Sequence, residues 1–166
     1  MELETITKLL NIPNYTVTRI IQSTPGSLHL LVEPIDPGIP ICSGCGLPHD
    51  VPVHSMGSIT VQDLNLCGRR VFLQVPKRKI LCEKDRKIRV ETLEWIKGRF
   101  TQRFAEEILR LTTITSYRAA GWYLDLDDET IQRMGRRRKV SSPETTTHSG
   151  RDLEARSSAR SVRMAF

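Results

Sequence analysis

Apolar residues fall at alternate positions through most of the first hundred residues and at helical spacing from Phe100 onward. The first exception is residues 2–10, where Leu3, Ile6, Leu9 and Leu10 are spaced for a short amphipathic helix that Pro13 interrupts. Tyr15–Ile21 is β-branched and roughly alternating, Thr24-Pro25-Gly26-Ser27 makes a turn, and Leu28–Val32 returns, which together predict a hairpin. Pro34, Pro37, Gly38 and Pro40 then form a stiff link. Further strands are expected at Val51–Val53, Ser58–Leu64 and Arg70–Val75, with Gly68 in a turn.

Beyond Phe100 the stripe Phe100, Phe104, Ile108 and Leu111 predicts a helix capped by Thr101. Glu106 and Glu107 sit toward its N-terminal end and Arg110 toward the other, as the helix dipole favours. A second helix fits Ser116 to Tyr123, capped by Ser116 and buried through Ala119, Ala120 and Leu124. After the tight turn Leu124–Asp127, Asp127 caps a third helix containing Thr130, Ile131 and Met134 and ending near Gly135. Residues 140–166 carry no periodicity and read as a disordered tail. The fold class is therefore α+β. Residues 1–40 are expected to form the helix and hairpin, 41–98 a zinc-ribbon-like module, and 99–139 a helix-turn-helix domain.

Charge sharpens this division. The net charge is +6 and the pI about 9.4, which favours an acidic partner. Residues 1–66 carry two basic and six acidic side chains, whereas residues 67–103 carry twelve basic and four acidic ones, a net +8. A block of that sign suits a phosphate-facing surface, although a solvated basic face without a partner has the same composition. The acidic start Met1-Glu2-Leu3-Glu4 is unlike a secretory signal, and no apolar run approaches the ~20 residues that span a bilayer. A cytoplasmic, reducing compartment follows as an expectation. With four cysteines there, thiolate–metal chemistry is favoured over disulfides.

The candidate metal ligands lie in Ile41–Asp85. Cys42-Ser43-Gly44-Cys45-Gly46 is a Cys-x-x-Cys turn in which the glycine just after the second cysteine, Gly46, lets backbone N–H groups approach the sulfurs, and zinc then needs a second pair of ligands. Cys82 begins a second such turn, but its closing position is Asp85 rather than cysteine. The expected ligand set is Cys42, Cys45, Cys82 and Asp85, with Cys67 as the other choice for the fourth place. His49 and His54 are also within range in the sequence but read more simply as polar loop residues, and Cys67 as a small hydrophobe. A redox reading of the cysteine pair is disfavoured because Leu47-Pro48 and Val51-Pro52-Val53 are poor helix material.

The second and third helices, joined by so short a turn, have the spacing of a helix-turn-helix. Ala120 and Gly121 stand where two helices cross closely, Leu124, Leu126 and Ile131 point to the core, and Asp125 takes the left-handed turn position. Gln132 and Arg133 are then placed to read base edges, while Arg136, Arg137, Arg138 and Lys139 grip phosphates with Lys77, Arg78, Lys79, Arg86 and Lys87. An ordinary three-helix packing unit is the competing reading, favoured by the acids Asp127, Asp128 and Glu129. Capping and the helix dipole account for those acids without catalysis. No phosphate-binding glycine loop and no nucleophile–base constellation is legible elsewhere.

The order of these parts resembles the N-terminal region of bacterial insertion-sequence transposases of the ISL-three type. The residues that carry the resemblance are Val32-Glu33-Pro34, Cys42-x-x-Cys45-Gly46, Val53-His54-Ser55, Asp63-Leu64, Gly68-Arg69-Arg70-Val71, Arg78-Lys79-Ile80-Leu81-Cys82 and Thr101-Gln102-Arg103-Phe104, followed by the helix-turn-helix; together they cover roughly residues 1–138. The resemblance implies a zinc finger and a helix-turn-helix that bind double-stranded DNA at an element's terminal inverted repeats. In the family a DDE domain that cuts and joins DNA follows. Residues 140–166 match nothing expected there, so a truncated or frameshifted transposase, a DNA-binding protein and not an enzyme, is the expectation. A free-standing transcription regulator and a protein-interaction zinc ribbon are the alternatives.

Overall fold

The structure, a computed structural model, describes residues 2–141, with the side chains of residues 137–141 left out; the tail expected at 140–166 lies largely outside the described residues. Helix α1 (Leu3–Leu10) buries Ile6 and Leu10, two positions one turn apart on its apolar face. Asn11 ends it in a left-handed conformation (φ 44°), its N–H donating to the Thr7 carbonyl at 2.9 Å. Strands β1 (Tyr15–Ser23) and β2 (Ser27–Pro34) form the expected antiparallel hairpin.

Two long strands dominate the molecule, β3 (Val53–Leu66) and β4 (Arg69–Leu81). They turn through Cys67 and Gly68, both at positive φ (51° and 74°), the backbone that a two-residue hairpin matching the strand twist demands. Both strands are much longer than their apolar alternation predicts, because Lys77–Lys79 and His54–Gly57 break that pattern. The ladder nevertheless continues through them, from Val61↔Leu73 to Val53↔Ile80.

Parallel pairing of β2 with β4 joins the hairpin to the ribbon. Three short strands complete the sheet: β5 (Ile88–Val90) on β4, and β6 (Ile96–Lys97) and β7 (Phe100–Thr101) beyond β3. One sheet thus runs across both residue 40 and residue 98. Its inward face, alternate residues such as Leu28, Leu30, Val61, Val71 and Leu73, packs with α1 into the main core.

Helices α2 (Gln102–Ile114), α3 (Tyr117–Leu124) and α4 (Asp128–Ser141) follow, with Thr101 and Ser116 capping the first two as read. Their own core, Phe100, Phe104, Ile108, Ala120, Leu124 and Ile131, takes in Leu64 of β3. Gly135 does not end α4, which runs on through the helix-favouring Arg136–Lys139. A buried carboxylate holds this unit on the sheet. Asp63, wholly inaccessible, accepts from Thr101 Oγ1 (2.7 Å) and from the Arg103 guanidinium, which also donates to the Leu10 carbonyl at the end of α1.

Candidate metal centre and nucleic-acid surface

Both cysteine turns have the same backbone. Gly46 N–H donates to the Cys42 carbonyl (2.9 Å) and Arg86 N–H to the Cys82 carbonyl (2.8 Å), and these two residues, the fifth of each turn, sit at positive φ, 72° and 54°. Glycine adopts this freely, whereas arginine does so at a cost. The second turn is therefore folded as a knuckle even though Asp85 stands where Cys45 stands in the first. Gly44 N–H donates to Cys42 Sγ at 3.3 Å, as a thiolate-binding turn requires.

The structure brings Cys42, Cys45 and Cys82 together with His49, their ligand atoms all within 4.8 Å of one another. His49 Nε2 lies 3.1 Å from Cys45 Sγ and 3.7 Å from Cys82 Sγ. A tetrahedral zinc with bonds of about 2.3 Å to sulfur and 2.0 Å to nitrogen sets such ligand atoms about 3.5–3.8 Å apart, so the residues present fit the ion. Bound there, zinc would supply structural cross-linking of two turns that have almost no core of their own, only Cys42, Ile80 and Cys82 being fully buried.

Asp85 is not in this group. It lies beside Cys82, but its carboxylate accepts from Arg89 Nη2 (2.5 Å) and Nε (3.0 Å) and from Lys87 N–H (3.1 Å). Arg89 holds its carboxyl down to about 2. The fourth place expected for Asp85 is filled by His49, whose ring is 5% exposed. Cys67 is exposed in the β3–β4 turn and His54 exposed on β3, both outside the group. Sequence reasoning passes over His49 as a loop residue; the signal that could have found it is its position four residues after Cys45, where Pro48 turns it back over the knuckle and the Pro40 carbonyl accepts its N–H at 3.0 Å. Its Nδ1 lies 3.0 Å from Glu83 Oε2. Glu83, then Cys45, push the imidazole up to about 9 in the metal-free protein, while the Leu47 N–H, followed by His49, helps bring the Cys45 thiol down to about 7.

A family model described as the zinc-finger of transposase IS204/IS1001/IS1096/IS1165 matches residues 40–85, from the link before the first knuckle to the last residue of the second. The chain carries an ISL3-family transposase zinc-ribbon region. The transposase for insertion sequence element IS1001 of Bordetella parapertussis is 30% identical over 105 residues, which is 61% of this chain and 25% of that protein. The chain thus matches about a quarter of the relative's length. No solved structure matches it. Within the ISL3 zinc ribbon, the Cys42/Cys45/His49/Cys82 cluster indicates zinc.

The residues expected to meet DNA divide. Lys79, Arg86 and Lys87 are exposed around the second knuckle and Lys77 is partly so. Arg78 is not available. Its guanidinium is bound to Glu91 (Nε–Oε2 2.8 Å) and to the carbonyls of Gly38 and Pro37 (2.8 and 2.7 Å), so it locks the stiff link onto the sheet. On α4, Arg133 and Arg136 are exposed and Gln132 partly exposed, while Thr130 and Ile131 face inward. The side chains of Arg137, Arg138 and Lys139 lie outside the described part. No helix among the described residues is long and apolar enough to cross a membrane.

Proposed function

We propose that this chain binds double-stranded DNA, using α3 and α4 as a helix-turn-helix and the basic rim of the zinc ribbon as a second grip. The observation that carries this reading is the α3–α4 crossing. A Cβ on Gly121 would lie 2.7 Å from the Leu126 carbonyl, and Asp125 holds φ 54°. The turn is therefore tight and leaves Arg133 and Arg136 outward on the second helix. Gln132 and Arg133 supply base contacts; Arg136 and, at the knuckle, Lys77, Lys79, Arg86 and Lys87 supply phosphate contacts. Lys79 follows Arg70, beside the α3–α4 turn, by nine steps along β4, about 30 Å at the rise of a strand. A duplex touching both ends is contacted across about one helical turn.

The relative is named a transposase for an insertion sequence element, and by analogy the DNA proposed here is the terminal repeat of such an element. Binding, not strand cutting, is the role proposed for residues 2–141. Titration of a labelled duplex with increasing salt is the test. Affinity should fall with a log–log slope of about −0.9 per neutralised phosphate. Arg133→Ala should lower discrimination between sequences by about 1–3 kcal/mol, and Lys79→Ala should weaken all sequences alike. Binding that is insensitive to salt would refute the proposal.

A further inference from the structure

We propose that Glu83, in the second knuckle, is the positioning residue that aims His49 at the metal. Asp85, although it stands in the closing position of that knuckle, serves instead to hold Arg89 across the first. This rests on the zinc reading above and adds two roles to it.

The imidazole has its two nitrogens in different surroundings. Nε2 faces the sulfurs of Cys45 and Cys82, and Nδ1 faces the Glu83 carboxylate at 3.0 Å. A metal-bound imidazole is neutral, so when Nε2 is the ligand atom its proton sits on Nδ1, where only an acceptor is useful. Glu83 is that acceptor. Its hydrogen bond selects the tautomer, stops the ring from turning and makes Nε2 a better donor. The knuckle thus contributes two adjacent residues, Cys82 to the metal and Glu83 to the histidine, and the fourth ligand comes from the first knuckle's side.

The other half concerns charge and shape. Three thiolates and the Glu83 and Asp85 carboxylates around a divalent ion leave net negative charge, and a cation among them offsets part of it. Arg89 is that cation: Asp85 fixes its guanidinium by two bonds, and its electrostatic partners include Cys42 and Cys82. The arginine lies against the first knuckle, where a Cβ at Gly44 would come 2.9 Å from its Nε. Asp85, so engaged, ties the two turns together from outside the metal.

The test uses the whole chain loaded with cobalt(II) or zinc. Zinc affinity is measured by competition with a chromophoric chelator, the ligand field is read from the cobalt visible spectrum, and the His49 tautomer is read from imidazole nitrogen-15 shifts. Glu83→Ala should lower zinc affinity about 10–100-fold, the scale of a lost outer partner. The three-sulfur, one-nitrogen spectrum should persist while the Nδ1 proton signal broadens by exchange. Glu83→Gln, whose amide oxygen can accept the same N–H, should recover most of the loss. Asp85→Ala should change affinity by no more than about fivefold, the scale of an exposed ion pair, with the cobalt spectrum unmoved. Unchanged affinity and tautomer in Glu83→Ala overturn the role of Glu83. A cobalt spectrum altered by Asp85→Ala overturns the role of Asp85 and restores it as a ligand. Wild-type protein that takes up neither metal overturns the zinc site itself and this proposal with it.

Discussion

Two neighbouring basic residues, Arg78 and Lys79, do different work. Arg78 neutralises Glu91, which is 5% exposed in its side chain, and bonds the carbonyls of the proline-rich link. Removing it strands a buried carboxylate, so Arg78→Ala should destabilise the fold by about 3 kcal/mol. Lys79→Ala should leave stability within about 0.5 kcal/mol. Urea unfolding of both variants separates the two roles, and a silent Arg78→Ala would be the contrary result. Gly121 is the other decisive residue. Because Leu126 O and Asp128 Oδ1 stand 2.7 and 3.1 Å from where its Cβ would be, Gly121→Ala should cost about 1–3 kcal/mol as α3 and α4 are forced apart. Thermal unfolding reads this directly.

At the scale of elements, the acids around the α3–α4 turn are counter-ions before they are anything else. Arg70 of β4 meets Asp125 at 3.1 Å, and Arg99 of the β6–β7 turn meets Asp127 at 3.9 Å and donates to Thr130 Oγ1 at 2.8 Å. Each arginine also lies over a phenylalanine, Phe72 or Phe100. The pair clips the turn to the sheet and offsets the acids' negative charge. Asp127 has a second duty as the cap of α4: its Oδ1 accepts from Thr130 N–H at 2.7 Å, which, with the Thr130 hydroxyl, holds its carboxyl below the usual range. A depressed folded value means that the contribution is complete above the unfolded pKa, about 3.9, and is lost as pH falls through the lower folded one. Amide exchange at the start of α4 should therefore quicken in that acid window. Asp127→Asn, which caps without titrating, should flatten the dependence.

At the scale of the molecule, the three cores among the described residues are unequal. The sheet–α1 core and the helical core are larger and built from aliphatic and aromatic side chains, whereas the knuckle core consists of Cys42, Ile80 and Cys82 with Cys45 and Val51 against it. Chelation of zinc should thus loosen residues 40–50 and 82–91 while leaving the helical signal of α2–α4 intact. Proteolysis in chelator checks this: early cuts should fall at the knuckles and not in the helices. Simultaneous collapse of all three cores would count against a local role for the metal.

Local pattern alone determined a good part of this protein. Helices α1 to α3 and their Thr101 and Ser116 caps, the first hairpin, the Asp125 turn and the paired cysteines all depend on residues within a few positions of one another, and each was legible. Three matters were decided only in three dimensions. The length of β3 and β4 is set by pairing across strands, which tolerates polar residues that break the alternation. The fate of each charge is set by what lies opposite: Arg78 met Glu91, and Asp85 met Arg89, so neither is free for the role its position suggested. The fourth member of the metal cluster was decided by the fold back at Pro48, which sets His49 against Cys82 from 33 residues away in the chain. Ligand spacing names donors, but only the packed backbone says which donor's atom arrives.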